Sequence, residues 1–178
     1  ARYNTDGSLD TTFDGDGMLT TAIGTGDDVG NSVTVQTDGK VVVAGYSYNG
    51  TKNDFALVRY NTDGSLDTTF SGDGMLTTNI GTVDDLANDV VVQGDGKIVV
   101  GGRSKTSTYD FTLVRYNTDG SLDTTFSGDG IVTTAIGTAL DVGNSLALQA
   151  DGKILLGGYY YNGSGDSFAV IRYNTDGS

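Results

Sequence analysis

The chain contains no cysteine, proline, histidine or tryptophan, and no glutamate, so all 23 acidic residues are aspartate. Without Cys there are no disulfides and no thiolate metal sites, although the compartment stays open, because many bacterial surface proteins avoid Cys. Without His, Cys or Glu, acid–base chemistry falls to Asp carboxylates, most of them in turns. A paired-carboxylate glycosidase geometry is what that leaves. The chain is therefore read as not an enzyme, and as needing no cofactor, with calcium the single ion worth testing. Cations are scarce too: 10 Lys and Arg stand against the acids, for a net charge of -13. Nucleic-acid binding by counterion release needs clustered Lys and Arg, so nucleic acid is not an expected partner. Apolar runs such as Ile98-Val99-Val100 are too short to cross a membrane, and nothing resembles a signal peptide, so membrane insertion is not expected.

What is abundant points one way. Gly occupies 28 of 178 positions, and Asp with Gly disfavours helix interiors while supplying tight turns. Thr, Val and Tyr fill the intervals, a vocabulary of strands. The order within this mixture is a repeat. Arg59-Tyr60-Asn61-Thr62-Asp63-Gly64-Ser65-Leu66-Asp67 recurs from Arg2, Arg115 and Arg172, at spacings of 57, 56 and 57 residues. Such a period marks units that cannot bury their apolar surface alone and must stack on one another.

One unit reads as four strands. Met75 to Ile80 is the first, broken by Gly81 to Asp85; Asp89 to Gln93 is the second, turned by Gly94-Asp95-Gly96 into Lys97 to Arg103. A variable loop leads to Asp110–Tyr116, after which Asn117-Thr118-Asp119-Gly120 turns toward the next unit. In Val41 to Gly45 and in Phe55 to Val58 both alternating sets are apolar or small, so each sheet is covered on both sides. The expectation is an all-β, β-propeller-type repeat of three four-stranded antiparallel blades, with a linear β-solenoid as competitor. The units divide as 1–17, linker and stub of a preceding blade; 18–74 and 75–130, blades with connectors; and 131–178, a blade with a truncated connector. Three blades are fewer than the four to eight that close a ring, so this is an open fragment of a larger propeller or array. Each terminal face would leave on the order of 600 Å² apolar, about 15 kcal/mol of burial forgone. Other copies of the chain, or adjacent blades of a longer one, are the expected partners.

The pattern Arg-Tyr-Asn-x-Asp-Gly-Ser-Leu-Asp-x-x-Phe of Arg59 to Phe70, Gly72 to Gly74, and Gln93 to Lys97 before an apolar run resembles the bacterial delta-sixty repeat. The resemblance covers essentially the whole chain. It implies a propeller-like tandem repeat of large exported or cell-surface proteins, without an established enzymatic activity and without catalytic residues to carry over. An extracellular or cell-surface location is the matching expectation.

Four sets of residues are candidates for a role. Asn61, Asp63, Ser65 and Asp67 fall at positions 3, 5, 7 and 9 of an EF-hand loop, but Arg59 stands at the first ligand and Phe70 at the bidentate Glu. Side chains capping their own turn explain this motif better. Arg59, Arg115 and Arg172 share a face with Phe55 and Leu57 or their equivalents, so each guanidinium needs a partner; Asp67 or Asp85 is in reach. These Arg, with Asp63, Asp67, Asp119 and Asp123, are assigned structural roles. The acidic turns Asp27-Asp28, Asp84-Asp85 and Asp141 are the candidate metal residues, on the rim opposite the Asp-Gly turns. That rim also carries the divergent loop after the third strand, where Tyr46, Tyr48, Asn49, Tyr109, Tyr159, Tyr160, Tyr161 and Asn162 are candidates for binding a glycan or a protein. Asn49-Gly50-Thr51 and Asn162-Gly163-Ser164 also fit the N-glycosylation pattern.

Overall fold

The computed structural model describes residues 1–178 and contains eleven strands and no helix. Strands β1 (Asp28–Val35), β2 (Val41–Tyr48), β3 (Asn53–Tyr60) and β4 (Met75–Thr78) form one antiparallel meander. Strands β5 (Leu86–Val92), β6 (Ile98–Lys105), β7 (Tyr109–Tyr116) and β8 (Ile131–Thr134) form the second. The third has three strands, β9 (Asp141–Leu148), β10 (Ile154–Tyr161) and β11 (Asp166–Tyr173), with β11 at its edge. Three open antiparallel sheets, packed face to face, agree with the propeller reading.

Two details of that reading need correction. The sequence makes Met75 to Ile80 the first strand of its own unit, yet the strand Met75–Thr78 pairs backward, with Phe55 opposite Thr78 and Val58 opposite Met75. The connector causes this. Tyr60 bridges Leu66, and the Arg59 amide donates to the Gly74 carbonyl at 2.8 Å, so the chain doubles back alongside β3 and continues its ladder. The sheets consequently span 28–78, 86–134 and 141–173, offset from units that begin at 18, 75 and 131. By the same rule, Met18 to Ile23 belongs to no sheet, and the third blade has three strands rather than four.

Alternation along the strands builds two cores. Val42, Ala44, Phe55 and Leu57 of the first sheet meet Ala87, Val90, Ile98, Val100, Val114 and Tyr116 of the second. The opposite face of the second sheet, with Val99, Phe111 and Leu113, meets Leu146, Ile154, Leu156, Ala169 and Tyr173 of the third. A middle sheet buried on both sides is why its strands read as nearly continuous apolar runs.

The first strand of each sheet carries a bulge at the same place, with register shifts between Gly30 and Ser32, Ala87 and Asp89, and opposite the Gly157–Gly158 step. The partner glycine is obligatory. A Cβ on Gly45, Gly102 or Gly158 would lie 1.8, 2.1 or 1.9 Å from a carbonyl oxygen of the neighbouring strand. The extra residue of the bulge is Asn31 or Asn88, re-aimed as bulged residues are. Asn31 Nδ2 donates to the Ala87 carbonyl at 2.8 Å and Asn88 Nδ2 to that of Gly143 at 2.7 Å, each reaching across to the next sheet.

Candidate functional site: the joint between sheets

The side chains that converge do so at the joints between sheets. After β3 the chain makes an Asx turn: Asp63 Oδ1 accepts from the Ser65 amide at 3.0 Å and its hydroxyl at 2.7 Å, and Asp119 does the same for Ser121. The hydrogen bonds from Ser65 and Ser121 hold both carboxyl groups below the usual aspartate pKa. Behind the turn, Arg59 Nε donates to Asp67 Oδ2 at 2.7 Å and Lys40 Nζ to the same oxygen at 2.8 Å. The guanidinium lies 4.5 Å from the centroid of the Phe70 ring, while its Nη1 donates at 2.6 Å to the Thr118 carbonyl, in the turn of the next repeat. Ser71, at a positive φ of 55°, aims its amide at the Asp119 carbonyl, 2.8 Å away. In its turn Gly120 sits against Phe70, with no room for a Cβ, which would come within 3.0 Å of Cε2.

This joint is made again, atom for atom, by Arg115, Asp123, Lys97, Phe126 and Ser127 against Thr175 and Asp176. Arg2, Asp10, Phe13 and Asp14 make it against Thr62 and Asp63. Burial works to raise the pKa of Asp67 and Asp123. Hydrogen bonds from Lys40 or Lys97 and from Thr69 or Thr125, with the charge of Arg59 or Arg115, outweigh it and hold both far below the ordinary range. A second clasp joins the sheets through Tyr116 to Thr78 (2.6 Å) and Tyr173 to Thr134 (3.0 Å), and holds the segment before the first sheet through Tyr60 to Thr21 (2.7 Å). Burial lifts the Tyr116 hydroxyl well above the usual tyrosine value. Asp89 adds a third, accepting from Ser32 on one side and from the Leu146 amide on the other, both at 2.7 Å.

Of the predicted partners for Arg59, the structure chooses Asp67. Asp85 does different work, taking the amides of Ile80 and Gly81 at 2.9 and 3.0 Å. Asp28 likewise accepts from Ile23, and Asp141 from Ile136 at 2.7 Å; Asp84 accepts from the Asn53 amide. Of the candidate metal residues, Asp28, Asp85 and Asp141 thus cap their own turns and Asp84 ties its turn to the start of β3, and nowhere do three carboxylates come together in a metal-holding group. Asp27 offers its carbonyl to the Tyr48 amide.

The rim candidates lie on strands more than on loops. Tyr46 and Tyr48 belong to β2, Tyr109 to β7, and Tyr159, Tyr160 and Tyr161 to β10; alternation sends consecutive tyrosines to opposite faces. Tyr160 packs into the core between the second and third sheets. Asn49 and Asn162 do occupy the loop, but their carboxamides cap it, accepting from the amides of Thr51 and Ser164 at 3.0 and 2.9 Å. Strands that continue two or three residues past the apolar run absorb what the sequence presents as a loop. The links made by Asn31, Asn88, Ser32 and Asp89 leave no signal in the sequence, because a bulge leaves only one Asn of extra length to detect.

Serially stacked antiparallel meanders with a repeated joint define a β-propeller module. The family model described as "Domain of unknown function (DUF5122) beta-propeller" matches residues 1–13, 36–70, 93–126 and 149–178. With more than half of its residues matched, the chain belongs to this family. No curated protein matches it.

Proposed function

We infer that the protein is a non-catalytic scaffold, a self-assembling propeller array of the delta-sixty type within an exported or cell-surface protein, whose repeated chemistry serves to join one blade to the next. The observation that carries this reading is a contrast at one repeat position. Phe55 and Phe111 have no exposed surface, whereas their equivalent on β11, Phe168, is 100% exposed. The other end is its complement: Val33 is 64% exposed where Val90, its equivalent, is 3%. A face that buries against its complement twice within one chain is suited to do so a third time. The convergent polar groups are spent on joints, and the acidic turns on backbone amides, which leaves them with structural work.

The direct test is the mass of the purified chain in solution by light scattering or mass photometry. Particles of two or more chains are expected, and dissociation on changing Phe168→Asp. Monomers at micromolar concentration, with both faces in water, would defeat the scaffold reading.

A further inference from the structure

The edge of the third sheet and the segment before the first sheet are two halves of one structure. In the first two sheets, the outer strands β4 and β8, Met75–Thr78 and Ile131–Thr134, lie beside β3 and β7. Residues 18–21 read Met-Leu-Thr-Thr, identical to Met75–Thr78, yet pair with no strand. Strand β11 meanwhile has β10 on one side and no strand on the other. The unpaired segment is already held in the position its equivalents take against the following sheet. Thr21 accepts from Tyr60 as Thr134 does from Tyr173, and Asp14 donates its amide to Asp63 as Ser71 does to Asp119. Between this segment and the first sheet runs an apolar groove of about 460 Å³, lined by Phe13, Leu19, Ile23, Val33, Val43 and Val58 among others.

Resting on the scaffold role, we propose that Met18–Thr21 of one copy adds to the edge of β11 of a second copy and completes its third sheet to four strands. Transferring the register of β3 with β4 sets Val170 opposite Leu19 and Phe168 opposite Thr21. The face bearing Phe168 and Val170 then fills the groove, as Phe55 and Leu57 fill the space between the first and second sheets. Asn144, the bulged residue of β9, reaches the Gly30 carbonyl as Asn88 reaches that of Gly143. Backbone pairing supplies adhesion, and the alternate side chains supply register, as in other strand additions.

The exchange has a built-in competitor. Residues 2–8 and 172–178 are the same heptapeptide, and within one copy Arg2 already holds Asp10, Thr12 and the Thr62 carbonyl. On joining, Arg172 of the second copy takes that place and residues 1–8 are released. Their removal favours assembly.

The absence of native cysteine provides the experiment. Antiparallel partners have Cα atoms roughly 4.5–5.5 Å apart, inside the range of about 4.4–6.8 Å that a disulfide spans. Leu19→Cys with Val170→Cys is expected to give a reductant-sensitive two-chain band under mild oxidation. Leu19→Cys with Ile171→Cys, whose second thiol points to the other face, should not. Leu19→Pro with Thr20→Pro removes at least one inward amide from the added strand, because successive amides alternate in direction. This variant should return to single-chain mass while keeping its circular dichroism spectrum, since the segment forms no sheet within its own copy. Deleting residues 1–8 should raise the assembled fraction severalfold. Assembly that survives the double proline and yields no crosslink overturns the strand exchange and leaves the scaffold standing. A disulfide within a single chain overturns the exchange as well. Single chains under all conditions overturn both.

Discussion

Arg115 shows how one side chain carries several links of the joint at once. Its Nε pairs with buried Asp123, its plane stacks on Phe126, and Nη1 reaches the Thr175 carbonyl. Replacing it with Ala leaves a buried carboxylate with Lys97 as its one remaining cation, beside the hydrogen bonds from Thr125. Breaking such a pair costs about 3–5 kcal/mol, and the surviving lysine argues for the lower figure. Denaturant titration of Arg115→Ala checks this, and a loss below about 1 kcal/mol would show the joint to be ornamental. Arg115→Lys should recover only part, because a point ammonium cannot reproduce the fork and the stack. The same carboxylates set an acid limit. Asp67 and Asp123 have folded pKa values depressed below an unfolded value of about 3.9. Below that value the unfolded chain binds more protons than the folded one, so stability is full above about pH 5 and falls as pH drops. A melting series from pH 6 to pH 2 should show the midpoint declining from about pH 4 downward. Asp123→Asn should lower the plateau and flatten the decline, and an unchanged slope would exclude this carboxylate as a source.

The repeated element is a meander with a bulge, and glycine is where its geometry is least forgiving. A Cβ on Gly102 would fall 2.1 Å from the Leu86 carbonyl oxygen, against backbone that cannot yield. Gly94, in the turn after β5, has nothing within 4 Å and no positive φ. Gly102→Ala is expected to cost roughly 3 kcal/mol or more, among the largest effects of single substitutions. Gly94→Ala should be neutral or stabilising by up to about 1 kcal/mol, through the unfolded chain. Thermal melts of the two variants check the contrast, and similar midpoints would mean that the bulge is looser than its geometry indicates. The Asp-Gly turns, the four-strand period and the two-sided apolar strands were all legible in the sequence, because turn chemistry and alternation are local. The bulges were not, since one extra residue in a strand of eight alters no pattern that a reader could count.

At the scale of the molecule, three sheets make two joints inside the chain and present the two halves of a third outside it. Phe168 and Val170 at one end and Val33 and Val35 at the other are the exposed members of interfaces that are otherwise closed. Lys153 shows the same logic in a charged side chain. Its equivalents Lys40 and Lys97 reach Asp67 and Asp123 in the connector, whereas Lys153 turns back on Asp151 in its own hairpin. A double change of Phe168 and Val170 to Asp should therefore abolish assembly without lowering the melting temperature of the single chain, as analytical ultracentrifugation with a parallel melt will show. A fall in the melt alone would mark these residues as core within one copy.

Composition and period by themselves determined that this chain is all-β, that it is built of units near 57 residues, and that its arginines need acidic partners. Each follows from local preference or from the cost of burying a charge. Only the tertiary structure decided which sheet owns Met75–Thr78, which carboxylate Arg2, Arg59 and Arg115 each take, and that the six rim tyrosines stand on strands. Pairing is settled between segments far apart in sequence, where a chain that doubles back can join the strand behind it as readily as the one ahead, and no spacing records the choice.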